Sequence, residues 1–363
     1  MELSPTVRAA KVGVTTYPTS LQNQGGLQVH IKETVLALKQ LGIDVEIADP
    51  YHENLSKYDL IHHFSLNHAS FRILRVAKSY GVKCVATPMV EPIHSDWRIR
   101  KIRWVTKGMH RLFGNEFRNR WQDTLDGLSI ADAITPITDN EGENIRKLVP
   151  AVADRIHVIP NGVTELFFSA SSEAGGDELD LPHEPFVLLP SSIQPYKNQL
   201  PVVRAARRLG YQTVLVGPIY NQAYFQSCLD AGGENVLYAG VLDYFSPALA
   251  RLFASAGIVV LASKIEPFGL VPFEALAAGT PSVLTRASGL KTPANPPYFQ
   301  RVDPNDEQEI ADVLRIGISA PRNRDACRNM VEDMRWLNVG RQLCSVYDSV
   351  LAQGDRAPDR IAL

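Results

Sequence analysis

Lys264-Ile-Glu-Pro-Phe-Gly-Leu-Val-Pro-Phe-Glu-Ala-Leu-Ala-Ala-Gly-Thr-Pro-Ser-Val-Leu-Thr285 decides the fold. The apolar, β-branched run Ile258 to Ala262 enters it and reads as a buried parallel strand. A helix is expected from about Leu270 to Ala278, with Pro272 tolerated in its first turn and Gly279 and Pro281 ending it. Ser282 to Thr285 reads as the next strand, completing a βαβ unit whose ligand side is the loop after the first strand. That loop carries Glu266, and the helix carries Glu274. Gly269 lets backbone approach a ligand, the amides near Leu270 and Val271 form an anion site at the helix tip, and Phe268 beside them is a further donor-binding candidate. A carboxylate one turn further in repels phosphate but accepts hydrogen bonds from sugar hydroxyls. A phosphate site flanked by hydroxyl acceptors suits a nucleotide sugar.

The string E-P-F-G-L-x-x-x-E-A-L-A-x-G-x-P, from Glu266 to Pro281, resembles the E-x7-E motif of the retaining glycosyltransferases of family 4, which have the GT-B fold. Ile159-Pro-Asn-Gly-Val163 is a second resemblance, at the turn that closes the N-terminal domain in that family. The resemblance implies transfer of a hexose from a nucleoside diphosphate sugar with retention, without a metal or other cofactor. No D-x-D occurs, so nothing suggests the metal-carboxylate site of the GT-A enzymes. It also implies catalytic roles for Lys197, on the donor diphosphate, and for Glu266, on the sugar hydroxyls. Glu274 is implied at the ribose, and Gly26 of the Gly25-Gly26 pair at the donor phosphates and acceptor.

Two departures stand out. Family members carry an Arg five residues before the Lys, and here Ser192 holds that place. Met89 stands where relatives often have a His; His63, at a strand end, and His94, in a loop, are the acceptor-side candidates. These departures keep alive a catalytically degenerate GT-B protein that binds nucleotide or a partner glycosyltransferase. A GT-B nucleotide-sugar epimerase is a further alternative.

The chain has 363 residues, 45% hydrophobic and 21% charged, enough for two domains with full cores. A net charge of −2 argues against wholesale nucleic-acid binding. Cys84, Cys228, Cys327 and Cys344 are far apart and read as reduced thiols. The first residues lack a signal-peptide h-region and no run approaches 18 apolar residues, so a cytoplasmic protein is expected. From Arg98 to Arg120, eight Lys or Arg face one acid, Glu116, with aromatic residues interleaved. Arg100, Lys101, Trp104, Lys107 and Arg111 could form the polar face of an ordinary helix or dock on anionic lipid headgroups. Nucleic acid is a third option, without a recognised binding module to accompany it. A lipid-linked or glycan acceptor in cell-surface polysaccharide or lipopolysaccharide synthesis would use such a peripheral membrane surface.

Strands alternating with helices in both halves predict an α/β protein of two Rossmann-like domains facing a cleft. The expected bounds are 1–168 for the N-terminal acceptor-side domain and 169–185 for a polar linker. The nucleotide-sugar domain is expected over 186–335. A crossover helix and tail, 336–363, return to the first domain.

Overall fold

The computed structural model describes residues 3–22, 25–66, 70–90, 93, 95–113, 120–171 and 181–353. The chain forms two compact units, Met1–Gly162 with Trp336–Leu363, and Val163–Arg335.

The first unit holds a parallel sheet of β1 (Lys11–Thr15), β2 (Asp44–Ile47), β3 (Leu60–Phe64), β4 (Lys83–Thr87) and β5 (Ala133–Ile134). Their order is β2-β1-β3-β4-β5, so the winding reverses between β1 and β3. β3 is buried along its whole length, as expected of a central strand covered on both faces. The last helix, Trp336–Ala352, packs on the Gly26–Gln40 helix within this unit. Val339, Leu343 and Val350 bury fully there, each worth roughly 1.5–3 kcal/mol. Tyr347 also buries, and its hydroxyl pairs with His62 Nδ1 at 2.6 Å.

The second unit holds a parallel sheet of β6 (Val187–Pro190), β7 (Thr213–Val216), β8 (Val236–Tyr238), β9 (Ile258–Leu261), β10 (Ser282–Thr285) and β11 (Phe299–Val302). The order β11-β10-β9-β6-β7-β8 places its switch point between β6 and β9. Loops leaving those two strands therefore emerge side by side, where ligands bind in open α/β sheets. The sequence reading did not anticipate β11, whose apolar run is broken by Gln300 and Arg301; Gln300 is buried by donating to the Val313 carbonyl at 3.0 Å.

The boundary lies earlier than expected. Val163–Phe168 belong to the second unit rather than the first, because Val163 N–H donates to Met334 O and Phe167 packs on Phe253. Within the expected linker, residues 172–180 lie outside the described residues.

Candidate donor site in the second unit

Lys197 leaves β6 through a short turn. Pro195–Lys197 form one 3-10 turn, and Asn198 then adopts a left-handed conformation (φ 61°) that redirects the chain into the Gln199–Arg208 helix. Asn tolerates this region better than most residues, and here its side-chain amide donates to Pro304 O at 2.7 Å. Gln199 ties the loop from the other end, donating to Ser191 Oγ and Ser192 O. The turn delivers Lys197 Nζ to Glu266 Oε2 at 2.8 Å, although 69 residues separate the two in sequence. The ion pair is largely enclosed, with side chains 16% and 12% exposed, and the ammonium also lies 5.3 Å from the centre of the Tyr196 ring. Screening is weak for a pair enclosed to that extent.

Ser192 sits on the same loop, and its hydroxyl oxygen accepts from Gln194 Nε2 at 2.6 Å. A hydroxyl that accepts still has a proton to donate. No cation stands at position 192, so Lys197 carries this loop's positive charge.

Glu266 is pinned by the turn after β10. Its N–H donates to Ala287 O, its carbonyl accepts from Gly289 N, and Ser288 Oγ donates to Phe268 O at 2.7 Å. That turn reads Ala287-Ser-Gly-Leu290. Phe268 is buried against Phe273. Gly269 has φ 86°, and a Cβ there would lie 2.6 Å from Leu284 Cδ1, so both conformation and space demand glycine. Leu270 then opens the helix Val271–Ala277 without a side-chain cap.

Glu274 lies in the first turn of that helix and is only 3% exposed. Tyr244 Oη donates to its Oε1 at 2.7 Å. Burial pushes the Glu274 carboxyl up to about 7, and the Tyr244 hydrogen bond opposes this only in part. Sequence reasoning treated Glu274 as a fully ionised acceptor and missed Tyr244. Nothing in the spacing of Asp243-Tyr-Phe-Ser246 points thirty residues ahead.

The remaining candidates lie in the first unit. Gly26 opens the Gly26–Gln40 helix, and among the described residues a Cβ at Gly25 or Gly26 would meet nothing within 4 Å. The expectation for His63 is corrected. Its ring is fully buried and held at both nitrogens, Nδ1 by Thr15 Oγ1 at 2.9 Å and Nε2 by Ser70 Oγ at 2.9 Å. Burial holds it well below the usual imidazole range, at about 4, and the residue braces β1 against β3. His62 is braced likewise by Tyr347 and Thr87. His94 lies outside the described residues.

At the sheet edge Ser65 and Met89 both have positive φ, 66° and 54°. The loop after β4 is held by Glu141, which sequence reasoning also missed: its carboxylate accepts from Val90 N at 2.7 Å and Ile137 N at 2.9 Å. Ser65 and Met89 lie beyond the C-terminal ends of β3 and β4, the side on which open parallel sheets bind ligands.

The basic stretch forms the helix Asp96–Phe113. Ile99 and Ile102 face its core, while Arg100, Lys101 and Trp104 are exposed. The side chains of Lys107 and Arg111 lie outside the description. Among the described residues, no helix is long and apolar enough to cross a membrane.

Comparison with known proteins agrees with this architecture. The family model "Glycosyl transferases group 1" matches residues 177–334, and "Glycosyltransferase Family 4" matches 51–165. D-inositol 3-phosphate glycosyltransferase of Streptosporangium roseum is 26% identical, over 97% of this chain and 96% of its own length. Among solved structures, sucrose-phosphate synthase from Thermosynechococcus elongatus superposes with a TM-score of 0.70 at 19% identity, covering 94% of this chain and 99% of that one. Anabaena HepE in complex with UDP gives 0.66 at 17% identity, covering 93% and 100%. With both halves matched by these models and the E-x7-E segment folded beside Lys197, the chain belongs to the GT-B glycosyltransferases of the group 1 and family 4 type.

Proposed function

We propose that this glycosyltransferase moves a hexose from a nucleoside diphosphate sugar to a glycan or lipid-linked acceptor, with retention of configuration and without a metal. The observation that carries the reading is the enclosed Lys197–Glu266 pair beside the Gly269 turn. As the bond from the anomeric carbon to phosphate oxygen breaks, its electron pair stays on the diphosphate. Lys197 and the amides at Leu270 and Val271 stabilise that charge. Glu266 accepts from sugar hydroxyls and Glu274 from ribose hydroxyls. The acceptor oxygen bonds the anomeric carbon, and its proton passes to the departing phosphate. Neither carboxylate acts as a general base.

The curated relative favours a second acceptor class, a phosphorylated polyol, since its name assigns it D-inositol 3-phosphate. The degenerate-protein reading draws on Ser192, whose hydroxyl already accepts from Gln194. Calorimetric titration with UDP, GDP, ADP and dTDP in chelator, followed by transfer assays with each acceptor class, separates these readings. The proposal expects one base to bind clearly best and its sugar to reach an acceptor. No heat from any of the four, with a folded protein, would leave the non-catalytic reading standing.

The helix Asp96–Phe113 supports a peripheral site on anionic membrane. Trp97 and Trp104 are 63% and 79% exposed beside Arg100, Lys101 and Arg103, and Lys101 lies 5.1 Å over the Trp97 ring. Indole rings seat at the headgroup level while the cations meet anionic lipid. Each cation near such a surface is worth about 1 kcal/mol. The double change Arg100→Glu, Lys101→Glu should therefore lower cosedimentation with anionic vesicles by tenfold or more, on the order set by that figure. Trp104→Ala should weaken it at every salt concentration. Equal recovery on neutral vesicles would rule the lipid surface out.

A further inference from the structure

We propose that Tyr244 is a positioning residue for ribose recognition, its hydroxyl fixing the Glu274 carboxylate so that the second oxygen faces the ribose diol of the donor. This rests on the reading of the second unit as the donor site, and it concerns a contact that the motif itself does not contain. Glu274 is on the Val271–Ala277 helix, while Tyr244 stands in the turn before the Pro247–Ser255 helix. Tertiary packing alone brings them to 2.7 Å.

A phenol at neutral pH donates one hydrogen bond, and a carboxylate oxygen only accepts it. Oε1 is therefore committed whatever the state of Glu274. Among the described residues no other hydrogen bond to this carboxylate is found, which leaves Oε2 to hold either a proton or the hydroxyls of a ligand. The Tyr244 ring is itself held by aromatic contacts, 5.9 Å from Phe167 and 5.1 Å from Phe245, and Phe167 rests on Phe253 at 4.9 Å. The phenol is thus aimed by packing, and it aims the carboxylate in turn.

Among the described residues, no ion pair neutralises Glu274. β9 and β10 present no titratable side chain. From the elements packed on the helix, Arg328 donates to Ala277 O and Ala170 O, and Arg324 lies against Gly279. Glu165 pairs with Arg335, Arg251 lies on the Pro247–Ser255 helix, and Asp243 caps its own turn. One phenol is too little to keep a buried carboxylate ionised, so burial leaves the free protein with a carboxyl titrating at about 7. A ribose diol adds two donors that favour the ionised form. Ribonucleotide binding then releases a proton, and affinity falls as pH drops below about 7 and is level above it.

The test uses the full chain, one preferred ribonucleoside diphosphate and its 2′,3′-dideoxy analogue, titrated between pH 6 and 8. For the wild type we expect the ribonucleotide to bind more tightly as pH rises to about 7, and the dideoxy analogue to bind weakly with a flat profile. Tyr244→Phe keeps the ring and loses the donor. It should weaken the ribonucleotide about tenfold at pH 7, move its pH midpoint upward, and leave the dideoxy analogue unchanged. The dideoxy measurement on the same variant also reports an intact fold. Equal weakening of both ligands, or no change with either, overturns the role of Tyr244 while the donor-site reading stands. Failure of the wild type to bind any nucleotide overturns both.

Discussion

Lys197→Ala is expected to lower the transfer rate by about 10²–10³-fold and to weaken nucleoside diphosphate binding with it. Losing one preorganised donor to developing charge costs on the order of 3–4 kcal/mol in enclosed sites. Two features place this residue at the upper end. Ser192 stands where the family resemblance implies an arginine, so no second cation on the β6 loop shares the load. The substitution also leaves Glu266 without the ammonium now 2.8 Å away, and an unpaired carboxylate repels the incoming diphosphate. Nucleotide titration and single-turnover transfer on the same variant check both halves. Ser192→Arg in the wild-type background is the converse measurement, since a restored cation should raise the rate if this loop faces the leaving group. Near-wild-type transfer by Lys197→Ala would move the diphosphate site elsewhere.

Glu266→Gln should separate the two functions that Lys197→Ala removes together. The amide is nearly isosteric, so the Gly269 turn and its bonds to Ala287 and Gly289, which use the Glu266 backbone, persist. What is lost is a charged acceptor, whose hydrogen bonds to sugar hydroxyls are worth about 1.5–3 kcal/mol. Transfer should fall by roughly 10–150-fold on that scale. Free nucleoside diphosphate, which has no sugar to bind, should hold at least as tightly as in the wild type, because Lys197 no longer has to leave a carboxylate partner. A parallel loss of nucleotide affinity in this variant would show that the pair acts as one structural clamp rather than as two ligand contacts.

The contrast between the His candidates and the Glu candidates shows where local sequence stops being informative. Glu266 and Glu274 were legible because a strand, a turn glycine and a helix fall within one short segment, and their spacing fixes which side of the helix tip each occupies. His63 read as a strand-end ligand for the same kind of reason. In the fold that strand end lies inside the sheet layer, where Thr15 and Ser70 take both ring nitrogens. Alternation along one strand tells nothing about what the neighbouring strand presents.

The sequence by itself determined the α/β class, the two-domain organisation and the βαβ unit at 258–285, and its resemblance to the family motif singled out Lys197, Glu266 and Glu274 as candidate donor-site side chains. These follow from periodicity, glycine and proline placement and motif spacing, all of which are local. Tertiary structure alone decided which of them meet. Pairing of β6 with β9 sets the Lys197 and Glu266 loops side by side. Packing of Phe167 and Phe253 sets Tyr244 on Glu274. The last helix joins the first unit because its buried face fits the Gly26–Gln40 helix, and Val163–Phe168 join the second because Phe167 buries there. Contacts of this kind depend on strand order and side-chain shape across tens to hundreds of residues, and no window of sequence contains both partners.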